Sequence, residues 1–189
     1  GKIAPQAWMT APQTKAVFAA LTAAGTEVRF VGGCVRDAVC GLPVRDIDIA
    51  TPDAPERVVE LLEKAGLGHV PTGIDHGTVT AIADGRSFEV TSLRVDVETD
   101  GRRARVAFTD DWMADAARRD FTINTLSSTL DGDVYDSFGG MEDLSRGVVR
   151  FVGNAGQRIE EDVLRLLRYF RFFAHYGRPP ADLDAPAAC

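Results

Sequence analysis

The sequence predicts an α+β fold: a mixed β-sheet with interspersed helices, followed by the start of a purely helical segment. Three observations carry this. Apolar or alternating runs of strand length recur between amphipathic stretches over the first half of the chain. Glycine and proline punctuate those runs at short intervals. After residue 110 the pattern turns helical, most strongly over 161–175, where Val163, Leu164, Leu167, Phe170 and Ala174 recur at helical spacing.

Taken in order, residues 12–24 read as an amphipathic helix ending at Gly25, followed by an apolar strand over 27–31. Gly32-Gly33 then opens a short helix to Cys40, stopped by Gly41 and Pro43. The strand "VRDIDIAT", 44–51, comes next, then a helix over 55–65 with Pro52 and Asp53 as break and cap. Strands are expected near 68–71, 77–83 and 86–93. The polar, charged stretch 95–110 reads as a mobile hairpin or loop. Helices over 111–117 and 122–128, a hairpin at Asp131-Gly132, a helix after Gly139-Gly140 and a last strand near 148–152 complete the unit. The helix over 161–175 has more apolar surface than the proline-rich tail can cover, so it reads as the opening of a second, helical domain.

The chain has 189 residues, 45% of them hydrophobic, enough for one mid-sized unit or a compact domain with an appendage. No apolar run approaches the ~18 residues of a membrane span and no signal-peptide pattern opens the chain, which predicts a soluble, cytoplasmic protein. Cys34, Cys40 and Cys189 lack metal-ligand spacing and read as reduced thiols. A net charge of -7 with pI near 5.0 excludes a broad basic nucleic-acid surface. Contact with a polyanion must be local, at the arginine clusters 102/103/105, 118/119 and 165/168/171.

The unusual feature is Asp46 and Asp48 in an otherwise apolar strand. Strand alternation points both carboxylates one way and Ile47 and Ile49 the other. Converging carboxylates repel unless a cation lies between them, and such hard oxygen ligands suit Mg2+. A bare D-x-D more often marks a solvated strand edge, and a bare Gly-Gly a tight turn. Together, however, Gly32, Gly33 and Arg36 at a helix start beside D-x-D form a phosphate site next to a metal site. That is the layout of two-metal nucleotidyl transfer, with ions roughly 3.5–4 Å apart. Glu89, on an alternating strand, is the candidate third carboxylate; the competing reading has it facing water.

Four ordered motifs extend this reading: "GGCVRDAVCGLPVRDIDIAT" at 32–51, "RRDFTIN" at 118–124, "DSFGGMEDL" at 136–144 and "EEDVLRLLRYFRF" at 160–172. Over residues 28–176 the chain resembles the class II nucleotidyltransferases, the bacterial CCA-adding enzymes and poly(A) polymerases of the DNA polymerase beta superfamily. The resemblance implies a polymerase beta-like head over 1–138 and the start of a helical neck over 139–189, with Gly139-Gly140 as hinge. It implies that Asp46 and Asp48 bind catalytic Mg2+ and that Gly32, Gly33 and Arg36 lie near the triphosphate. Arg119, Asp120 and Asn124 would contact the nucleotide, Asp120 at the ribose 2′-hydroxyl. Glu161, Asp162, Arg165 and Arg168 would recognise the base. Thr125 departs from the Ala common at its position.

Base choice also follows from chemistry. On a continuous helix Glu161 or Asp162 shares a face with Arg165. The bland reading is a surface ion pair. Yet an Asp acceptor beside an Arg donor matches the amino donor and ring-nitrogen acceptor of adenine and cytosine, and rejects guanine and uracil. The implied activity is addition of C, C and A to the 3′ end of tRNA from CTP and ATP, with stretch 95–110 resembling the loop associated with the switch from C to A. The alternative within the family is a poly(A) polymerase or A-adding enzyme. A non-catalytic nucleotide- or tRNA-binding module and a sugar-nucleotide glycosyltransferase are weaker rivals. Relatives continue into further helical domains, so weak tRNA affinity is expected here, and the exposed neck helix leaves a homodimer open.

Overall fold

A computed structural model describes residues 1–97 and 105–178. The expected mixed sheet is present, with seven strands: β1 (Arg29–Val31), β2 (Asp48–Thr51), β3 (Gly68–Gly73), β4 (Thr78–Ala83), β5 (Arg86–Ser92), β8 (Ser127–Ser128) and β9 (Val134–Tyr135). Their order is β3-β4-β5-β2-β1-β8-β9. Every pairing is antiparallel except β2 with β5, which sets Asp48 opposite Glu89. A separate ribbon pairs β6 (Arg94–Val97) with β7 (Arg105–Phe108). The centre of the expected loop, with Arg102 and Arg103, lies outside the described residues, as do 179–189 with Cys189.

Alternation decides which face is functional. In β4, Val79, Ala81 and Ala83 are buried while Thr78, Thr80 and Ile82 are half-buried; in β5, Phe88 and Val90 are buried while Ser87 and Glu89 are exposed. The apolar face packs beneath helices α2 (Pro12–Thr22) and α4 (Pro55–Lys64), where Val17, Leu21, Phe30, Ile49, Val58, Leu62 and Phe88 form the main core. The short α1 (Ala7–Thr10) adds Trp8, whose ring meets Phe30 edge-on at 4.7 Å. The opposite face, with Asp48 and Glu89, is left to the site. Helix α4 starts with Pro55 at its first turn and Ala54 at the cap, so Asp53 does not serve as the expected cap. Helix α5 (Trp112–Ala117) is capped by Asp111, which accepts from the Met113 and Ala114 amides.

Three further expectations are corrected. Residues 122–128 are not a helix but a 3-10 turn, Thr122–Asn124, followed by β8. The Thr125 hydroxyl donates to the Thr122 carbonyl at 2.7 Å, Asn124 donates to Asp120, and the Leu126 carbonyl accepts the Gly32 N–H; these bonds compete with a helical ladder. Residues 148–152 form no sheet strand but an isolated bridge, Phe121 to Phe151, because the partner segment turns away after one residue. The helix expected over 161–175 is two: α7 (Ala155–Glu161), capped by Asn154, and α8 (Leu164–Tyr176), separated by Asp162 in an extended conformation.

A second core joins these pieces. Phe121, Ile123, Val149, Phe151 and Tyr169 are buried together with Phe172 and Phe173 packed on them. It seats α8 against the 120–124 turn. Helix α6 (Gly140–Arg146) is clamped to the same turn: Asp136 accepts from the Gly140 and Met141 amides, and buried Asp143 binds the Thr122 hydroxyl and, by two bonds, Arg150. Among the described residues no helix is long and apolar enough to cross a membrane.

Candidate functional site

Strand β1 ends in a turn that only glycine accommodates. Gly32 has φ +70, ψ -130, and a Cβ there would lie 3.3 Å from Arg119 Nη1. Helix α3 (Gly33–Val39) follows, and its buried Arg36 donates from Nε to Asp37 at 2.9 Å and from Nη1 to Asn124 Oδ1 at 2.6 Å. Asn124 in turn donates to Asp120 Oδ1 at 3.0 Å. Asp120 is 6% exposed, and its Oδ2 forms an ion pair with Arg168 at 2.8 Å. The 3-10 turn that replaces the expected helix is what aims Asp120 and Asn124 at α3.

These groups line one cleft of about 540 Å³. Asp48, Glu89 and the glycine turn line it together with Arg94, Arg118, Arg119, Arg165 and Arg168. An acidic protein thus gathers arginines and carboxylates in one local cleft. The arrangement suits a polyphosphate bridged to a divalent ion.

The two aspartates are not equivalent. β2 begins at Asp48, which is half-buried; Asp46 sits on exposed chain just before it, though Ile47 and Ile49 point into the core as alternation requires. Asp46, Asp48 and Glu89 border a common hollow on the open sheet face. Burial first, then the charge of Glu89 and a hydrogen bond with it, push Asp48 up to about 6 against an ordinary 3.8; Arg119 opposes this and Asp46 adds to it. Among the described residues no three such ligands form a preassembled metal cage. The donor set nevertheless fits a hard divalent ion: crowded carboxylates on an open rim, with coordination left for phosphate oxygens and water.

The raised value sets a stability prediction. Ionised Asp48 costs stability fully above about pH 6, and the cost disappears as pH falls below its ordinary value of 3.8. In chelator at pH 7.5, Asp48→Asn is expected to melt about 2–5 °C above the parent, and the gap to close towards pH 4. Calorimetry at the two pH values checks it; no gap at pH 7.5 contradicts the electrostatic account.

Sequence reasoning missed Arg94, which lines this cleft, and Asp115, which braces it from behind its arginines. Asp115, 4% exposed, accepts from Arg118, from Arg119 and from the Arg94 amide, so it orders two cleft arginines and the root of the β6–β7 ribbon. The signal was its i+3 and i+4 spacing to the arginine pair. Arg158 supports the same region by donating to the Ala117 and Arg119 carbonyls.

Of the predicted base-recognition residues, Arg165 and Arg168 line the cleft, but Asp162 does not. It stands exposed at the break before α8 and accepts from the Leu164 amide at 3.0 Å, while Arg165 donates to the Arg158 carbonyl at 2.8 Å. The shared helix face expected for Glu161, Asp162 and Arg165 is therefore absent, because the helix is interrupted between them. The Glu161 side chain lies outside the described residues. Cys34, beneath β2, is buried and free, its thiol pushed up to about 12 chiefly by burial; Cys40 is exposed and free.

The chain is similar to known proteins over most of its length. The Poly A polymerase head domain profile matches residues 28–150. The chain is 49% identical over 159 residues to human CCA tRNA nucleotidyltransferase 1, mitochondrial, covering 84% of this chain and 37% of that protein. It is 42% identical over 165 residues to a CCA-adding enzyme of Lactiplantibacillus plantarum, covering 86% of this chain and 40% of that protein. A crystal structure of the Bacillus stearothermophilus CCA-adding enzyme in complex with CTP superposes with a TM-score of 0.82 at 33% identity, over 93% of this chain and 42% of that one. The chain thus spans well under half the length of these relatives.

Proposed function

The chain belongs to the poly A polymerase head-domain family that includes the CCA-adding enzymes, and on that premise we propose that it transfers cytidylate and adenylate from CTP and ATP to the 3′ end of tRNA in the cytoplasm, releasing pyrophosphate. The observation that carries this is the cleft that brings Asp48 and Glu89 together with Arg119, Arg165, Arg168 and the Gly32-Gly33 turn. Asp46 and Asp48 are the assigned holders of Mg2+, which when bound activates the attacking hydroxyl and neutralises the leaving group. Gly32 and Gly33 admit the triphosphate close to the backbone, with Arg36 and Arg119 beside it. Asp120 is the assigned partner of the ribose 2′-hydroxyl, its carboxylate held by Asn124 on one oxygen and Arg168 on the other.

Arg165 and Arg168 present donors to the base, and pairing of Asp162 with Arg165 requires the 162–164 turn to reorient when nucleotide enters. Residues 1–138 are assigned to the head and 139–189 to the neck.

The assay supplies a tRNA lacking its CCA end, Mg2+, and CTP, ATP or both, with products resolved at single nucleotides. Two additions with CTP and a third only when ATP joins are expected. A long ladder with ATP alone identifies poly(A) synthesis instead, and no product at saturating tRNA overturns the assignment of transfer to this stretch of chain.

A further inference from the structure

Arg36 and Asp37 are adjacent on α3, and neighbours on a helix do not face one another. Their ion pair nevertheless forms, and α8 adds a third group to it. The Tyr176 hydroxyl donates to Asp37 Oδ1 at 2.7 Å, the same oxygen that accepts Arg36 Nε at 2.9 Å. The Arg36 guanidinium also lies 4.6 Å from the Tyr176 ring centre and 5.1 Å from that of Phe172. With Nε and Nη1 committed to Asp37 and Asn124, Nη2 is left over the glycine turn, 3.5 Å from where a Cβ of Gly33 would stand.

We infer that Tyr176 is a positioning residue that acts through Asp37 to aim Arg36 at the triphosphate, tying the last turn of α8 to the phosphate end of the cleft. This rests on the reading of the cleft as a nucleotide site. It places on one helix the control of both ends of the nucleotide, since Arg165 and Arg168 at the start of α8 line the same cleft. The bond persists at any working pH, because burial and Asp37 push the Tyr176 phenol up to about 12 and it remains a donor. It is also separable from folding. The aromatic core around Tyr169 and the Arg178 N–H bond to the Gly147 carbonyl, 2.7 Å, hold α8 independently.

Tyr176→Phe keeps the ring and removes only the hydroxyl. CTP and CMP are titrated into the whole chain with Mg2+, CTP kinetics are recorded, and the Arg36 Nε–H resonance is followed by NMR without nucleotide. The expected result is CTP binding weakened about tenfold, CMP binding unchanged, KM for CTP raised with kcat within about twofold, and a displaced Arg36 resonance. Asp37→Asn is expected to displace the same resonance and weaken CTP similarly. Unchanged CTP affinity and an unmoved resonance in Tyr176→Phe overturn the inference. If the parent chain binds no CTP, the reading of the cleft fails; the resonance then decides by itself whether Tyr176 positions Arg36.

Discussion

Asp46→Asn and Asp48→Asn are each expected to lower nucleotide incorporation by about a thousandfold or more, on the scale of removing a group that acts only in the transition state. Binding of CTP is expected to fall far less, because the glycine turn and the cleft arginines are untouched. The two substitutions should differ in one respect. Asp48 is half-buried against Glu89, whereas Asp46 is exposed before the strand. Stabilisation of the chain by Mg2+, read as a rise in Tm, should therefore disappear in Asp48→Asn and shrink in Asp46→Asn. Retention of a tenth of the parental rate by Asp48→Asn contradicts the metal assignment, whatever its effect on Tm.

Gly140→Ala is the second large effect, and it separates two views of the Gly139-Gly140 pair. As a hinge, Gly140 supplies freedom, and alanine there lowers turnover without lowering Tm. The packing says otherwise. A Cβ at Gly140 would stand 2.4 Å from the Thr122 carbonyl oxygen and 3.2 Å from Leu126, and the first of these is backbone that cannot swing aside. Such overpacking costs about 3 kcal/mol, a drop of about 6–12 °C for a chain of this size. Because Thr122 opens the turn that aims Asp120 and Asn124, CTP affinity should fall with stability. Differential scanning calorimetry decides: an unchanged Tm with reduced turnover restores the hinge, while a large loss establishes a clamp.

Much of this was legible in the residues. The strands near 77–83 and 86–93 follow their alternation, and the glycine turn and D-x-D each announce themselves by residue type. What was not legible was non-local or depended on burial. Nothing in "VRDIDIAT" or "SFEVTSLR" says that the two segments lie parallel with Asp48 beside Glu89, because β3 and β4 separate them in sequence but not in space. The break at Asp162 has no glycine or proline to mark it, and the apolar period runs through it unaltered. Asp115 carried a readable spacing to Arg118 and Arg119, but such spacing more often denotes a solvated helix face. Its burial, which turns it into a scaffold, is a tertiary fact. The 122–128 segment misled because its apolar positions fit a helix while its threonines and asparagine preferred local bonds to backbone and neighbours.

The parallel pairing of β2 with β5 has a kinetic consequence. Hairpins such as β4–β5 close over a few residues, whereas Asp48 and Glu89 meet only after the whole of β3 and β4 has been accommodated, and Tyr176 reaches Asp37 across 139 positions. Contacts of long sequence separation form late, because chain-closure entropy must be overcome before they contribute. A refolding chain therefore regains its ellipticity before it regains a cleft, and on a ribosome the carboxylate pair can form while the far end of α8 is still unsynthesised. Ligand competence is the last property this stretch of polypeptide acquires.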